Sequence, residues 1–218
     1  RHGIVVAQMA LATTLLVAAA LLLQSFVRLQ HIPLGFEPDG VITARISLPG
    51  VKYPDGLRTS DFYRRMLESL NGTSEVQSAA LGTSVPFAPG VRAGGRARLG
   101  GDAGWINAVE HIVSPAYFET LRIPLLAGRS FSEQDGLGLP PVAVISESLA
   151  RLLLAGKNAI GQTVEWNGTR QHEVIGVVKD VRGAGGQARG GGVEQEPAAA
   201  LYLSSTQFPQ RTMTVLVR

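Results

Sequence analysis

The chain has 218 residues, a net charge of +3 and no cysteine. The lack of cysteine excludes a thiol nucleophile; it suits an extracytoplasmic domain, although many cytoplasmic domains lack the residue too. The small positive excess is spread thinly, and Arg92, Arg96 and Arg98 lie among glycines without interleaved aromatics, which favours a solvated loop over a nucleic-acid surface.

Ile4 to Val27 reads IVVAQMALATTLLVAAALLLQSFV, a stretch without one charged side chain. As an α-helix rising about 1.5 Å per residue it covers about 36 Å, more than the about 30 Å of a hydrocarbon core. A secretory signal peptide is the first rival, with Arg1 and His2 as its charged start, but its apolar run is normally only about 7–15 residues. A buried core helix is the second, and such helices carry a polar stripe or run shorter. Here Gln8 and Gln24 lie toward the ends, and Thr13 and Thr14 can bond back to their own helix. A membrane span is therefore expected. Arg1 and His2 before it and Arg28 and His31 after it are too evenly matched for the positive-inside rule to set the orientation. The first residue is arginine, which leads us to expect a piece of a longer protein.

Pro33, Gly35, Pro38, Asp39 and Gly40 read as a helix stop and short linker over residues 31–40. Val41–Leu48 alternates apolar and polar residues as a half-buried strand does. Phe62, Tyr63, Met66, Leu67 and Leu70 recur at helical spacing, with Ser60 as the N-cap and Asn71-Gly72 as the stop. Val76–Val85 is the next strand, so the first part reads as a βαβ-like unit. Pro86 to Gly104, rich in Gly, Ala, Arg and Pro, reads as a long loop or weak edge strands.

Trp105–Val113 returns to strand composition. Ser114 then caps a short helix with Pro115 in its first turn and Tyr117, Phe118 and Leu121 facing inward. Val142–Ile145 is a short buried strand. Ser146 caps a helix carrying Leu149, Leu152 and Leu153, and Gly156 ends it. Thr163–Trp166, Asn167-Gly168 and His172–Val181 form the clearest hairpin signal, because Asn-Gly tolerates the positive φ angles of a type I′ turn. Gly183–Gly192 reads as a flexible segment. Leu201–Leu203 and Thr212–Val217 are strand-like, and an ending at Arg218 without a closing element again leads us to expect truncation.

The chemistry-bearing residues do not converge. The histidines, at 2, 31, 111 and 172, form no metal-binding spacing, and Glu110-His111 and His172-Glu173 are adjacent pairs that a strand points to opposite faces. Gly82-Thr83-Ser84-Val85-Pro86 lacks the last glycine of a nucleophile elbow. The glycines at 183–192 lack the Lys-Ser/Thr of a phosphate loop. The carboxylates are scattered, and nothing singles out a glycosidase-like pair. Asn71-Gly72-Thr73 and Asn167-Gly168-Thr169 match the glycosylation sequon but double as turns. No catalytic, cofactor-binding or metal-ligating residue is nominated, no cofactor is implied, and no enzyme activity is assigned.

Several blocks resemble a known family. They are the apolar span with its VRLQ exit, GFEPDGVITARISLP, DFYRRMLESL with VQSAALGTSVPF, VSPAYFETLRIPLLAGRSFSEQD, PPVAVISESLARLLLAGKNAIGQTV and HEVIGVVKDVR. In this order they resemble the MacB-like periplasmic core domain of ABC transporter permeases of the MacB/FtsX superfamily, and most the second repeat of acidobacterial-type duplicated permeases. The stretches at 90–104 and 183–192 are looser than that pattern. The resemblance implies an α+β fold: a transmembrane helix over 1–30 and a two-lobed extracytoplasmic domain. A porter-like lobe would start at 41–85, a strand-rich sabre-like lobe would occupy 86–200, and 201–218 would return to the first lobe. It further implies a bacterial inner-membrane location with residues after about 30 in the periplasm. The bilayer, a cytoplasmic ABC ATPase subunit and further permease repeats would be partners, with no nucleic acid. The function implied is non-catalytic coupling of membrane motion to export or other extracytoplasmic work, termed mechanotransmission. A signal-anchored enzyme, or a ligand-binding or sensor domain, is the alternative. No substrate is named by these residues.

Overall fold

A computed structural model describes residues 2–30, 32–87, 93–100, 104–183 and 196–218. It divides into two units, residues 1–33 and 34–218. The first is one helix, α1 (His2–Gln30). Its side chains are exposed from Gly3 to Arg28, and Gly3–Leu29 has a mean hydropathy of 2.2 in its most apolar window, so it is long and apolar enough to cross a membrane. The hydroxyls of Thr13 and Thr14 donate to the main-chain oxygens of Met9 and Ala10, each at 2.8 Å, which removes the polar cost of two of its few hydrophilic side chains.

The second unit has the expected α+β character. Its elements are β1 (Ile42–Ser47), α2 (Gly56–Asn71), β2 (Ala79–Gly82), β3 (Ala93–Leu99), β4 (Ile106–Val113), α3 (Tyr117–Thr120) and β5 (Leu125–Gly128), then β6 (Val142–Ser146), α4 (Glu147–Leu154), β7 (Thr163–Trp166), β8 (Arg170–Val178), β9 (Ala200–Ser204) and β10 (Thr212–Val217). β10 runs antiparallel between β1 and β2, so β1 and β2 are parallel to each other but not neighbours. The βαβ unit is therefore split, with a strand from the far end of the sequence filling the gap.

Six other strands close on themselves in the order β4, β3, β7, β8, β6, β9 and back to β4. β8–β6 and β9–β4 are the parallel pairs of this barrel. Ala97, Ala108, Ile112, Ala143, Ile145, Val164, Trp166, Val174, Leu201 and Leu203 fill one core together with Leu149 and Leu154 of α4. A second core joins the barrel's outer face to α3 and to Ala80 and Leu216 of the three-stranded sheet. The third lies beneath α2, where Tyr63 meets Leu48, Leu81, Met213 and Val215.

Several local expectations need correction. The glycine-rich stretch holds β3, paired on both edges, rather than only a loop or weak edge strand. Small residues are what its position demands: Ala97 is fully buried, and a Cβ on Gly95 would lie 2.3 Å from Trp166 Cζ2. The cap of α2 is Asp55, which accepts from the Arg58 amide at 2.8 Å, so the helix starts one turn before Ser60. Ser114 does not cap α3; its hydroxyl accepts from the Leu81 amide at 2.8 Å. Ser146 does cap α4 through the Leu149 amide, but the left-handed residue closing that helix is Ala155, just before Gly156. Asn167 and Gly168 take φ of 52° and 78°, and pairing of Trp166 with Arg170 leaves Thr169 as one residue more than a two-residue loop has. β5, which the sequence did not reveal, pairs with β8 across a register shift, and all four of its residues are exposed. Residues 184–192 of the glycine-rich segment, and residues 88–92 and 101–103, lie outside the described residues.

Candidate functional site

Residues 34–40 of the segment read as a linker belong to the second unit and are held against the rest of it at several points. Gly35 takes φ of +82°, and a Cβ there would sit 2.0 Å from the main-chain oxygen of Asp180. Only glycine meets both conditions. The neighbouring Leu34 carbonyl accepts from the Arg182 amide at 2.9 Å, which joins the segment to the strand-like end of the HEVIGVVKDVR block. Phe36 and Val41 pack against the core that holds Leu121 and Val181. The Glu37 amide donates to the Leu121 carbonyl at 2.9 Å. At Gly40 the chain again takes a positive φ, +73°, as it turns into β1.

Two arginines complete the brace. Arg122 Nη1 lies 2.6 Å from the Glu37 carboxylate. Arg218 spreads its guanidinium over three main-chain oxygens: Nε to Thr120 at 2.8 Å, Nη1 to Asp39 at 2.9 Å and Nη2 to Glu37 at 2.7 Å. A planar fork with five N–H donors suits this task, where an ammonium would not. The backbone of Arg218 also extends the β10–β2 pairing, donating to Ser78 and accepting from Gln77. Leu34–Gly40 is therefore linked to α3 and to the residues that follow β8 and β10, and through Arg218 to the approach to β2.

The joint between the three-stranded sheet and the barrel is stitched as tightly. β2 and β4 pair at Gly82 and Val113 alone. Around that point Ser114 and Leu81 exchange two bonds, and Thr83 donates its amide to Ile112 while its hydroxyl accepts from the Ile112 amide. Ser84 Oγ lies 2.7 Å from His111 Nδ1, and Tyr117 donates its hydroxyl to the Ser84 carbonyl. This Ser–His contact is the arrangement a nucleophilic enzyme would use. Both residues are buried, His111 is stacked on Tyr202, and no substrate could reach them without opening the core. Among the described residues no group of three or more His, Asp or Glu side chains is placed to hold a metal ion.

Elsewhere, the loop after β5 is held by Asp135, which takes both Nη groups of Arg129 at 2.8 Å and the Ser132 amide. The arginine bonds hold its carboxyl below the usual carboxylate range. His172, on the strand positions that face the barrel core, has burial pressing it toward the neutral form, to a pKa of about 4, with the Arg170 charge as a second cause.

Residues 3–218 match the MacB-like periplasmic core domain. The chain belongs to that family. The periplasmic region of MacB from Actinobacillus actinomycetemcomitans is 19% identical, with a TM-score of 0.54 over 84% of this chain and 76% of that one. The extracellular domain of the noncanonic ABC-type transporter YknZ from Gram-positive bacteria is 17% identical, with a TM-score of 0.51 over 82% of this chain and 83% of that one. At these identities the likeness is one of fold. No curated protein sequence matches. This MacB-like domain thus belongs to the ABC-transporter permease class and is preceded by a helix able to cross a membrane. The brace falls on the blocks GFEPDG, LRIPL and VKDVR; the sequence marked the first as a linker and the last as a strand end, and of LRIPL it marked only Leu121, as an inward-facing helix residue. What it could not mark is Arg218, 181 positions from Glu37, because nothing local announces a partner that distant.

Proposed function

We propose that the chain is a mechanical module of a bacterial ABC-type permease. In this reading α1 spans the inner membrane, residues 34–218 lie in the periplasm, and motion of the helix is passed to the domain without catalysis by the domain itself. A cytoplasmic ABC ATPase subunit would supply the energy, and further repeats of the same polypeptide, of the duplicated acidobacterial type, would complete the permease. The three-stranded sheet with α2 would be the porter-like lobe and the barrel the sabre-like lobe. The observation that carries the proposal is the brace on Leu34–Gly40. A flexible linker would dissipate displacement, whereas a segment bonded to the residues that follow α3, β8 and β10 transmits it as rigid-body motion.

The test is a short Gly-Ser insertion between Pro33 and Leu34 in the complete permease, reconstituted with its ATPase. Export or other periplasmic output should be lost while ATP hydrolysis and domain folding persist. Unchanged output would rule out mechanical coupling through this segment.

A further inference from the structure

An apolar cleft of about 280 Å³ opens on the second unit between the braced segment and the strand exit at Val85. Leu34, Phe36, Val41, Val85, Phe87 and Leu121 line it with two prolines, and the hydroxyl of Thr43 is its one polar side-chain group. Phe87 is the unusual member. It holds φ of +59°, a conformation rare and costly for an aromatic residue, with its ring 6.3 Å from that of Phe36 and 42% of its surface exposed. Backbone strain is thus maintained to present a half-bare ring at an apolar cleft. Ile42, 75% exposed, follows the lining residue Val41.

We infer that this cleft receives the acyl chain of a membrane phospholipid. A peptide segment would bring an amide and a carbonyl at each residue, and the lining side chains offer a single hydroxyl to meet them; an acyl chain has no such demand. The supply is at hand. Leu34, the first of the lining residues, is the fourth residue after Gln30, so the chain keeps that residue within about 14 Å of the helix end. This inference rests on the reading that α1 spans the bilayer.

The experiment reconstitutes the full chain in nanodiscs of phosphatidylcholine carrying a photoactivatable diazirine in mid-chain, and maps the adducts by peptide mass spectrometry. Adducts are expected on α1 and on the peptides carrying Phe36, Val41 and Phe87. Thr43→Trp, at an exposed position on the cleft wall, should reduce the cleft adducts about tenfold, the factor for excluding roughly two methylenes from apolar burial, and leave those on α1 unchanged. Adducts on α1 alone would overturn the inference and leave the span intact; cleft adducts insensitive to Thr43→Trp would overturn it too. Absence of adducts on α1 would overturn both readings.

Discussion

Arg218 Nη2 donates to the main-chain oxygen of Glu37 at 2.7 Å, joining the residue after β10 to the segment that precedes β1. The same guanidinium holds Asp39 and Thr120, so one side chain ties three parts of the chain together. Arg218→Ala should lower stability by about 2 kcal/mol, or about 4–8 °C in melting temperature for a unit of this size. Arg218→Lys should recover little of it, since one ammonium cannot span the three oxygens. Hydrogen exchange should locate the effect: the amides of Glu37 and Val41 should lose protection, while those of β7 and β8 should not. Uniform loss across the barrel would show that Arg218 supports global folding rather than the brace.

Gly35 and Gly138 make a controlled comparison. Their φ angles are +82° and +81°, but a Cβ on Gly35 would fall 2.0 Å from the Asp180 oxygen, and one on Gly138 would meet nothing within 4 Å. Gly138→Ala should cost only the conformational penalty, about 1 kcal/mol. Gly35→Ala adds a backbone collision and should cost about 3 kcal/mol or more. Urea midpoints of the two variants provide the test, and equal losses would exclude the close approach to Asp180.

The sequence revealed what is local. The strand over Val41–Leu48, the apolar stripe of Phe62 to Leu70 and the Asn167-Gly168 turn each follow from the period or φ demands of a few consecutive residues, although Ile42 to Arg45 are exposed where alternation predicts a half-buried strand. It concealed what is distant. Nothing near Thr212–Val217 shows that this strand separates β1 from β2, and nothing near residues 93–99 shows that their small side chains make room for Trp166. The brace was hidden for the same reason. Gly35, Pro38 and Gly40 are turn residues in any context, and their role becomes visible only once Asp180, Arg122 and Arg218 are placed beside them.

The β7–β8 turn tests backbone conformation apart from packing. A Cβ on Gly168 would approach its nearest neighbours only at 3.8 and 3.9 Å, so space is not limiting. Its φ of +78° is, and a β-branched side chain resists that region. Gly168→Val should destabilise the domain by about 1–3 kcal/mol. Asn167→Ala should be costly for a second reason, because Asn167 Oδ1 accepts from the Arg96 amide at 2.8 Å and so ties the turn to β3. An unchanged melting temperature in Gly168→Val would mean that the turn is not held in the left-handed region.

Acid should weaken the domain in two separate ranges. An unfolded histidine takes up its proton near pH 6.5, but His172 resists until about pH 4 because it is buried and faces the Arg170 charge. Between these values the unfolded chain binds the extra proton, so stability falls as pH is lowered and the loss levels off below about 4. The loss amounts to about 3 kcal/mol, at about 1.4 kcal/mol for each tenfold change in proton affinity. Asp135 acts lower still. Its carboxylate is favoured in the fold by Arg129, so its contribution is complete above the ordinary carboxylate pKa and disappears as pH drops through its own depressed value. His172→Leu should therefore flatten the urea midpoint between about pH 6.5 and 4 without cost at neutral pH, since both ring nitrogens are buried without a hydrogen-bond partner. Asp135→Asn should lower the midpoint at neutral pH and leave the His172 slope in place. A His172→Leu curve that keeps the wild-type slope over that range would place the acid sensitivity elsewhere.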